Sequence, residues 1–143
     1  MRVLDLMTTE VVTVTPGMSL KEAARTMTDL GVSGLPVLDD QGRIVGIITE
    51  ADFLAAMNIQ EDSVITQMLN TIIRRGRPRK TRSTMVESLM TKNPITIKED
   101  EPLQTAIQMM DKNKIKRLII ADRENKVKGI ISRPDLVRLL SGR

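Results

Sequence analysis

Residues 3–57 align with residues 86–140 at a constant offset of 83, without a gap, and 14 of the 55 aligned positions are identical. Composition alone would give roughly three or four. The matches fall in blocks: Leu6-Met7-Thr8 with Leu89-Met90-Thr91, Thr13 with Thr96, Gly46-Ile47-Ile48 with Gly129-Ile130-Ile131, and Asp52 with Asp135. The chain therefore divides into a first repeat (1–57), a linker (58–85) and a second repeat (86–143). A unit this short covers only part of a sheet with two helices. Two of them packed together bury the apolar face that each leaves open, which predicts an intramolecular pseudo-dimer.

Each repeat reads as β-α-β-β-α, an α+β class. Val11–Val14 and Ile95–Ile97 are β-branched runs expected as short strands. Leu20, Ala23, Ala24, Met27 and Leu30 then form a helical stripe, entered by Ser19-x-x-Glu22 and left at Gly31; its twin carries Leu103, Ala106, Ile107 and Met110. Strands over Leu35–Leu38 and Ile44–Ile48 flank Asp39-Asp40-Gln41-Gly42 and are expected to pair as a hairpin, repeated by Leu118–Ala121 and Val127–Ile131 around Asp122 to Asn125. A last helix starts near Thr49 and near Ser132. In the linker, Val64, Ile65, Met68, Leu69 and Ile72 form another stripe, and Thr84-x-x-Glu87 reads as a capping box before Leu89.

The residue inventory excludes whole classes of chemistry. Cys, His, Trp and Tyr are absent and Phe53 is the only aromatic. Thiol and imidazole catalysis, Cys/His zinc sites and aromatic base-stacking platforms fall away together. No base, nucleophile or metal cluster suited to turnover is visible, so the chain is not expected to be an enzyme. Asp5 interrupts the apolar stretch a signal peptide requires, and no apolar run reaches membrane-spanning length. A cytoplasmic protein is expected. The net charge of +4 is uneven, with −5 over 3–57, +4 over 58–85 and +3 over 86–140.

The pattern inviting function is Gly46-Ile47-Ile48-Thr49-Glu50-Ala51-Asp52, echoed by Gly129-Ile130-Ile131-Ser132-Arg133-Pro134-Asp135. A strand ending in Gly-apolar-apolar places a hydroxyl and, three residues on, a carboxylate in the first turn of the next helix. Free N–H groups there attract anions, and the carboxylate can accept both hydroxyls of a ribose diol. The same spacing also makes a helix cap. Both readings stand on sequence alone.

Together with Val32-Ser33-Gly34-Leu35-Pro36-Val37, these openings and closings resemble a tandem pair of cystathionine β-synthase (CBS) domains, a Bateman module. The resemblance implies a regulatory module, with no catalytic cofactor, that binds AMP, ADP, ATP or a related adenosine ligand between the repeats, commonly as a homodimer acting on a partner protein. Carried over from members similar to the γ subunit of AMP-activated protein kinase, Asp135 and Ser132 would face Thr8, Val11, Thr13, Val32 and Ser33. Asp52 and Thr49 would face Thr91, Pro94, Thr96, Ile115 and Lys116. The second repeat departs at Ile119, which replaces Pro36. Lys116, Arg117 and Arg133, aligned with Ser33, Gly34 and Glu50, are expected to favour phosphate and to make the two sites unequal. An alternative reading uses Arg74, Arg75, Arg77, Arg79, Lys80 and Arg82, whose Arg75-Gly76-Arg77-Pro78 core is similar to an AT-hook, to bind DNA or RNA, with the paired repeats as a dimerisation scaffold.

Overall fold

The computed structural model describes residues 1–59 and 85–142. In the first repeat, α1 (Leu20–Leu30) starts at Ser19, whose Oγ accepts the Glu22 N–H at 3.0 Å, and stops at Gly31, whose φ of 64° turns the chain out of the helix. Leu20, Ala23 and Met27 are buried. Leu30, expected on the same stripe, is 53% exposed. Ten residues beyond Leu20 it has rotated about 80° away and lies in the final turn. The antiparallel hairpin β1 (Gly34–Leu38) and β2 (Ile44–Thr49) follows, then α2 (Glu50–Ile59). Asp39 Oδ1 closes the hairpin turn by accepting the N–H groups of Gln41 and Arg43 at 2.9 and 2.8 Å.

The second repeat runs β3 (Thr91–Lys92), β4 (Thr96–Ile97), α3 (Leu103–Lys112), the hairpin β5 (Arg117–Ala121) and β6 (Val127–Ser132), and α4 (Arg133–Leu140). Asp122 repeats the turn of Asp39, accepting from Glu124 and Lys126. Before β3, a single 3-10 turn covers Val86–Ser88; Thr84, with which the expected capping box begins, lies outside the described residues. The linker stripe of Val64 to Ile72 lies outside the described residues.

The opening strands are shorter than the sequence suggests. Val11–Val14 reduces to one parallel bridge, Val14 to Val37, held by Val14 N–H on the Pro36 carbonyl at 3.0 Å and Leu38 N–H on the Val14 carbonyl at 2.9 Å. Pro36 has no N–H to give, so the next rung toward Val12 is lost. Ile119 occupies the aligned position with its N–H intact, and there β4 pairs with β5 as a two-residue strand, Thr96 with Ile119 and Ile97 with Ile120.

The repeats exchange their openings. β3 of the second repeat adds to the first sheet beside β2, giving the order β1-β2-β3, while Thr8 of the first repeat bridges Ile130 beside the β4-β5-β6 sheet through two bonds of 2.9 and 3.0 Å. The cores are exchanged in the same sense: Val86 is buried with Leu20, Met27 and Ile48, and Val3 with Leu103, Met110 and Ile131. Gly46 and Gly129 make the exchange possible. A Cβ on Gly46 would lie 2.6 Å from Met90 Sδ and 3.0 Å from the Thr91 carbonyl; on Gly129 it would lie 2.8 Å from Met7 Sδ and 2.9 Å from the Thr8 carbonyl. A third cluster, Ile44 with Ile119 and Ala121, joins the hairpins of the two repeats.

Candidate functional site

Both closing motifs form caps. Asp135 Oδ2 accepts the Ser132 N–H at 2.8 Å and the Ser132 hydroxyl at 3.0 Å, completing a capping box at the start of α4. Asp52 Oδ2 accepts the Thr49 N–H at 2.9 Å and the Thr49 hydroxyl at 3.2 Å. The second oxygens differ. Asp52 Oδ1 accepts the Thr91 hydroxyl at 2.9 Å, whereas Asp135 Oδ1 is paired with the Arg138 guanidinium. Asp135 is the one buried charged residue among those described.

A cleft of about 590 Å³ opens in front of Asp135, within the range of small-molecule sites. Ser132, Arg133, Pro134, Asp135 and Arg138 form one wall; Thr8, Val11, Val32, Ser33, Gly34 and Glu50 come from the first repeat. Six of the residues assigned to this site from sequence thus share one cavity, while Thr13, half-buried beside Val14, is not among its lining residues. Lys116 and Arg117 also line it. On the other side, Asp52, Thr49 and Thr91 are joined by hydrogen bonds. Thr96 sits in β4, Ile115 packs against the second core, and Pro94 is half-buried between β3 and β4.

Arg117 crosses from one repeat to the other. Its Nη2 donates to Ser33 Oγ at 2.7 Å, and its side chain lies over Gly34, where an added Cβ would stand 2.6 Å from its Cδ. Burial pushes its pKa below the ordinary arginine value, Arg133 acts in the same direction, and Glu50 and Asp52 oppose them. The free N–H groups expected at the start of α4 are not available. Arg133 N–H donates to the Lys116 carbonyl at 3.1 Å, Pro134 has none, and the Asp135 N–H is taken by Ser132 Oγ. The cationic groups this cleft presents are the side chains of Lys116, Arg117, Arg133 and Arg138. Arg138 escaped the sequence reading, although its spacing of three residues from Asp135 on a helix is a pairing distance.

The sequence profile of the CBS domain matches residues 3–59 and 86–142. The chain belongs to the CBS domain family. Its paired repeats are similar to protein MJ1225 of Methanocaldococcus jannaschii, 34% identical over 134 residues that cover 94% of this chain and 45% of that protein. The CBS-pair protein CBSX2 of Arabidopsis thaliana, solved in complex with AMP, superposes with a TM-score of 0.76 at 29% identity, covering 99% of this chain and 98% of the other. The CBS domain pair of protein MJ0100, in complex with 5′-methylthioadenosine and S-adenosyl-L-methionine, gives 0.75 at 27% identity, covering 99% and 97%. The chain spans less than half the length of the first curated relatives it matches. Among the described residues of this CBS pair, no group of three or more acidic side chains could hold a metal ion, and no helix is long and apolar enough to cross a membrane. The basic run from Arg74 to Arg82, on which the alternative nucleic-acid reading rests, lies outside the described residues.

Proposed function

We propose that this CBS pair is a regulatory module that binds an adenine nucleotide, AMP, ADP, ATP or a related adenosine ligand, between its repeats and catalyses no reaction. The observation carrying this reading is the composition of the Asp135 cleft, whose walls come from both repeats. A ligand there touches residues whose relative position depends on how the repeats sit, so binding energy can bias that arrangement and be felt by a partner protein. The cleft offers the Asp135–Arg138 pair to the ribose, apolar Val11 and Val32 to a flat ring, and Lys116, Arg117 and Arg133 to phosphate. The AMP, methylthioadenosine and S-adenosyl-L-methionine complexes of similar CBS pairs support the ligand class. The second position of this reading is Asp52, hydrogen-bonded to Thr49 and Thr91. Titration calorimetry with AMP, ADP, ATP, NAD and S-adenosylmethionine tests the reading: saturable binding of at least one is expected, and silence with all five overturns it. We further read this cytoplasmic module as a homodimer associating through exposed Leu54, Val137 and Leu140 of α2 and α4, which sedimentation velocity decides.

A further inference from the structure

The two closing carboxylates differ at the oxygen a ligand would meet. Oδ2 is committed to the cap in both. Oδ1 of Asp52 holds a neutral hydroxyl, that of Thr91, whereas Oδ1 of Asp135 holds a cation, Arg138, one turn along α4. The residue aligned with Arg138 in the first repeat is Ala55. Arg138 lines the cleft while its side chain remains 64% exposed, so it is both at the site and open to solvent.

We propose that Arg138 makes the Asp135 cleft selective for adenosine ligands phosphorylated at the ribose 2′ or 3′ position over those with a free diol. This rests on the nucleotide reading above and names the ligand class of one of its two positions. A free diol donates two hydrogen bonds and needs a carboxylate with open lone pairs. At Asp135, Oδ2 already accepts two bonds and Oδ1 is charge-paired, so a diol must share or displace a guanidinium. A phosphate monoester is an acceptor, and a bare carboxylate repels it. Arg138 cancels that repulsion, and a guanidinium with five N–H donors has others left for phosphate oxygens after pairing with Asp135. The remaining lining tolerates the extra charge, because Lys116, Arg117, Arg133 and Arg138 outnumber Glu10, Glu50 and Asp135. Asp52, with Ala55 on its helix, keeps the diol-accepting character.

The test is titration of the full chain and its Arg138→Ala and Arg138→Lys variants with AMP, adenosine 2′,5′-bisphosphate and adenosine 3′,5′-bisphosphate. In the wild type, one bisphosphate is expected to bind one site at least about tenfold more tightly than it binds Arg138→Ala. AMP affinity is expected to be unchanged or raised in Arg138→Ala, and Arg138→Lys is expected to recover part of the bisphosphate preference. The ratio of two affinities within one variant is not moved by a general loss of stability. An equal loss for all three ligands in Arg138→Ala overturns the proposal, as does wild-type binding of AMP without binding of either bisphosphate. If no adenosine ligand binds the wild type, the nucleotide reading fails and this selectivity fails with it.

Discussion

Because Oδ2 of Asp52 and of Asp135 starts a helix, a substitution at either position acts on fold and site together, and the choice of replacement separates the two. Asparagine keeps a carbonyl oxygen that can accept the cap N–H but loses the charge that strengthens a contact to ribose. The Asp52→Asn/Asp135→Asn variant is therefore expected to lose about ten- to a hundredfold in nucleotide affinity, or about 1.5–3 kcal/mol, with a small change in ligand-free melting. Calorimetry beside thermal unfolding reads both. Asp135→Ala removes the cap and leaves the Ser132 N–H and Arg138 without their acceptor, so denaturant unfolding should show a loss of about 1–3 kcal/mol even without ligand. The hydroxyl-x-x-carboxylate spacing made the cap readable from sequence, and the proposed ribose contact would use the same two residues. Spacing alone did not give the partner on Oδ1 of Asp52, since Thr91 is 39 residues away; the family resemblance did, by placing Thr91 opposite Asp52.

At the scale of elements, the two most obvious repeated blocks turn out to be one device. Each Leu-Met-Thr opening packs on the Gly-Ile-Ile strand of the other repeat, and at Gly46 and Gly129 the opening's Met side chain and Thr carbonyl leave no room for a Cβ. A constant offset shows that two units exist, but it is the same whether an opening packs on its own unit or its neighbour's. The short strands were misjudged for a related reason: β-branched runs report propensity, whereas the ladder depends on the partner, and Pro36 withholds a donor. Gly46→Ala and Gly129→Ala are each expected to cost about 1–3 kcal/mol in urea unfolding. Met90 and Met7 can swing aside, but the Thr91 and Thr8 carbonyls are held by the pairing. The hairpin turns supply a pH dependence. Backbone N–H bonds from Arg43 to Asp39 and from Lys126 to Asp122 hold both carboxyls below their ordinary pKa, against a smaller opposing effect of burial. Folding therefore favours the ionised form, so this stabilisation is complete above the unfolded carboxyl pKa of about 4 and is lost as pH falls through the lower folded values. Melting curves from neutral pH to strongly acid should show the gap between wild type and Asp39→Asn/Asp122→Asn closing on the acid side.

Across the whole molecule, the charge imbalance between repeats becomes a polarised cleft. The first repeat, net −5 over residues 3–57, contributes Glu10 and Glu50; the second contributes Lys116, Arg117, Arg133 and Arg138. That imbalance was legible as a tally, but its convergence on one cavity was not, because it depends on the crossing of Arg117 to Ser33 over Gly34. Gly34 is the aligned partner of Arg117, so in the symmetric position there is no guanidinium to cross back. The N–H groups at the start of α4 are engaged by Lys116 and Ser132, so on the proposed reading a phosphate there would be held by the arginine side chains. Arg117→Gln/Arg133→Gln is accordingly expected to lower affinity for AMP and ATP by about tenfold or more and to leave adenosine within about twofold. The contrast between ligands isolates the phosphate, since a disturbed ring pocket or a loosened repeat interface would weaken adenosine as much. Equal losses for all three ligands would assign the arginines a structural role. A loss confined to AMP and ATP that shrinks as salt rises would fit charge recognition in an accessible cleft, because mobile ions compete for the same guanidinium groups.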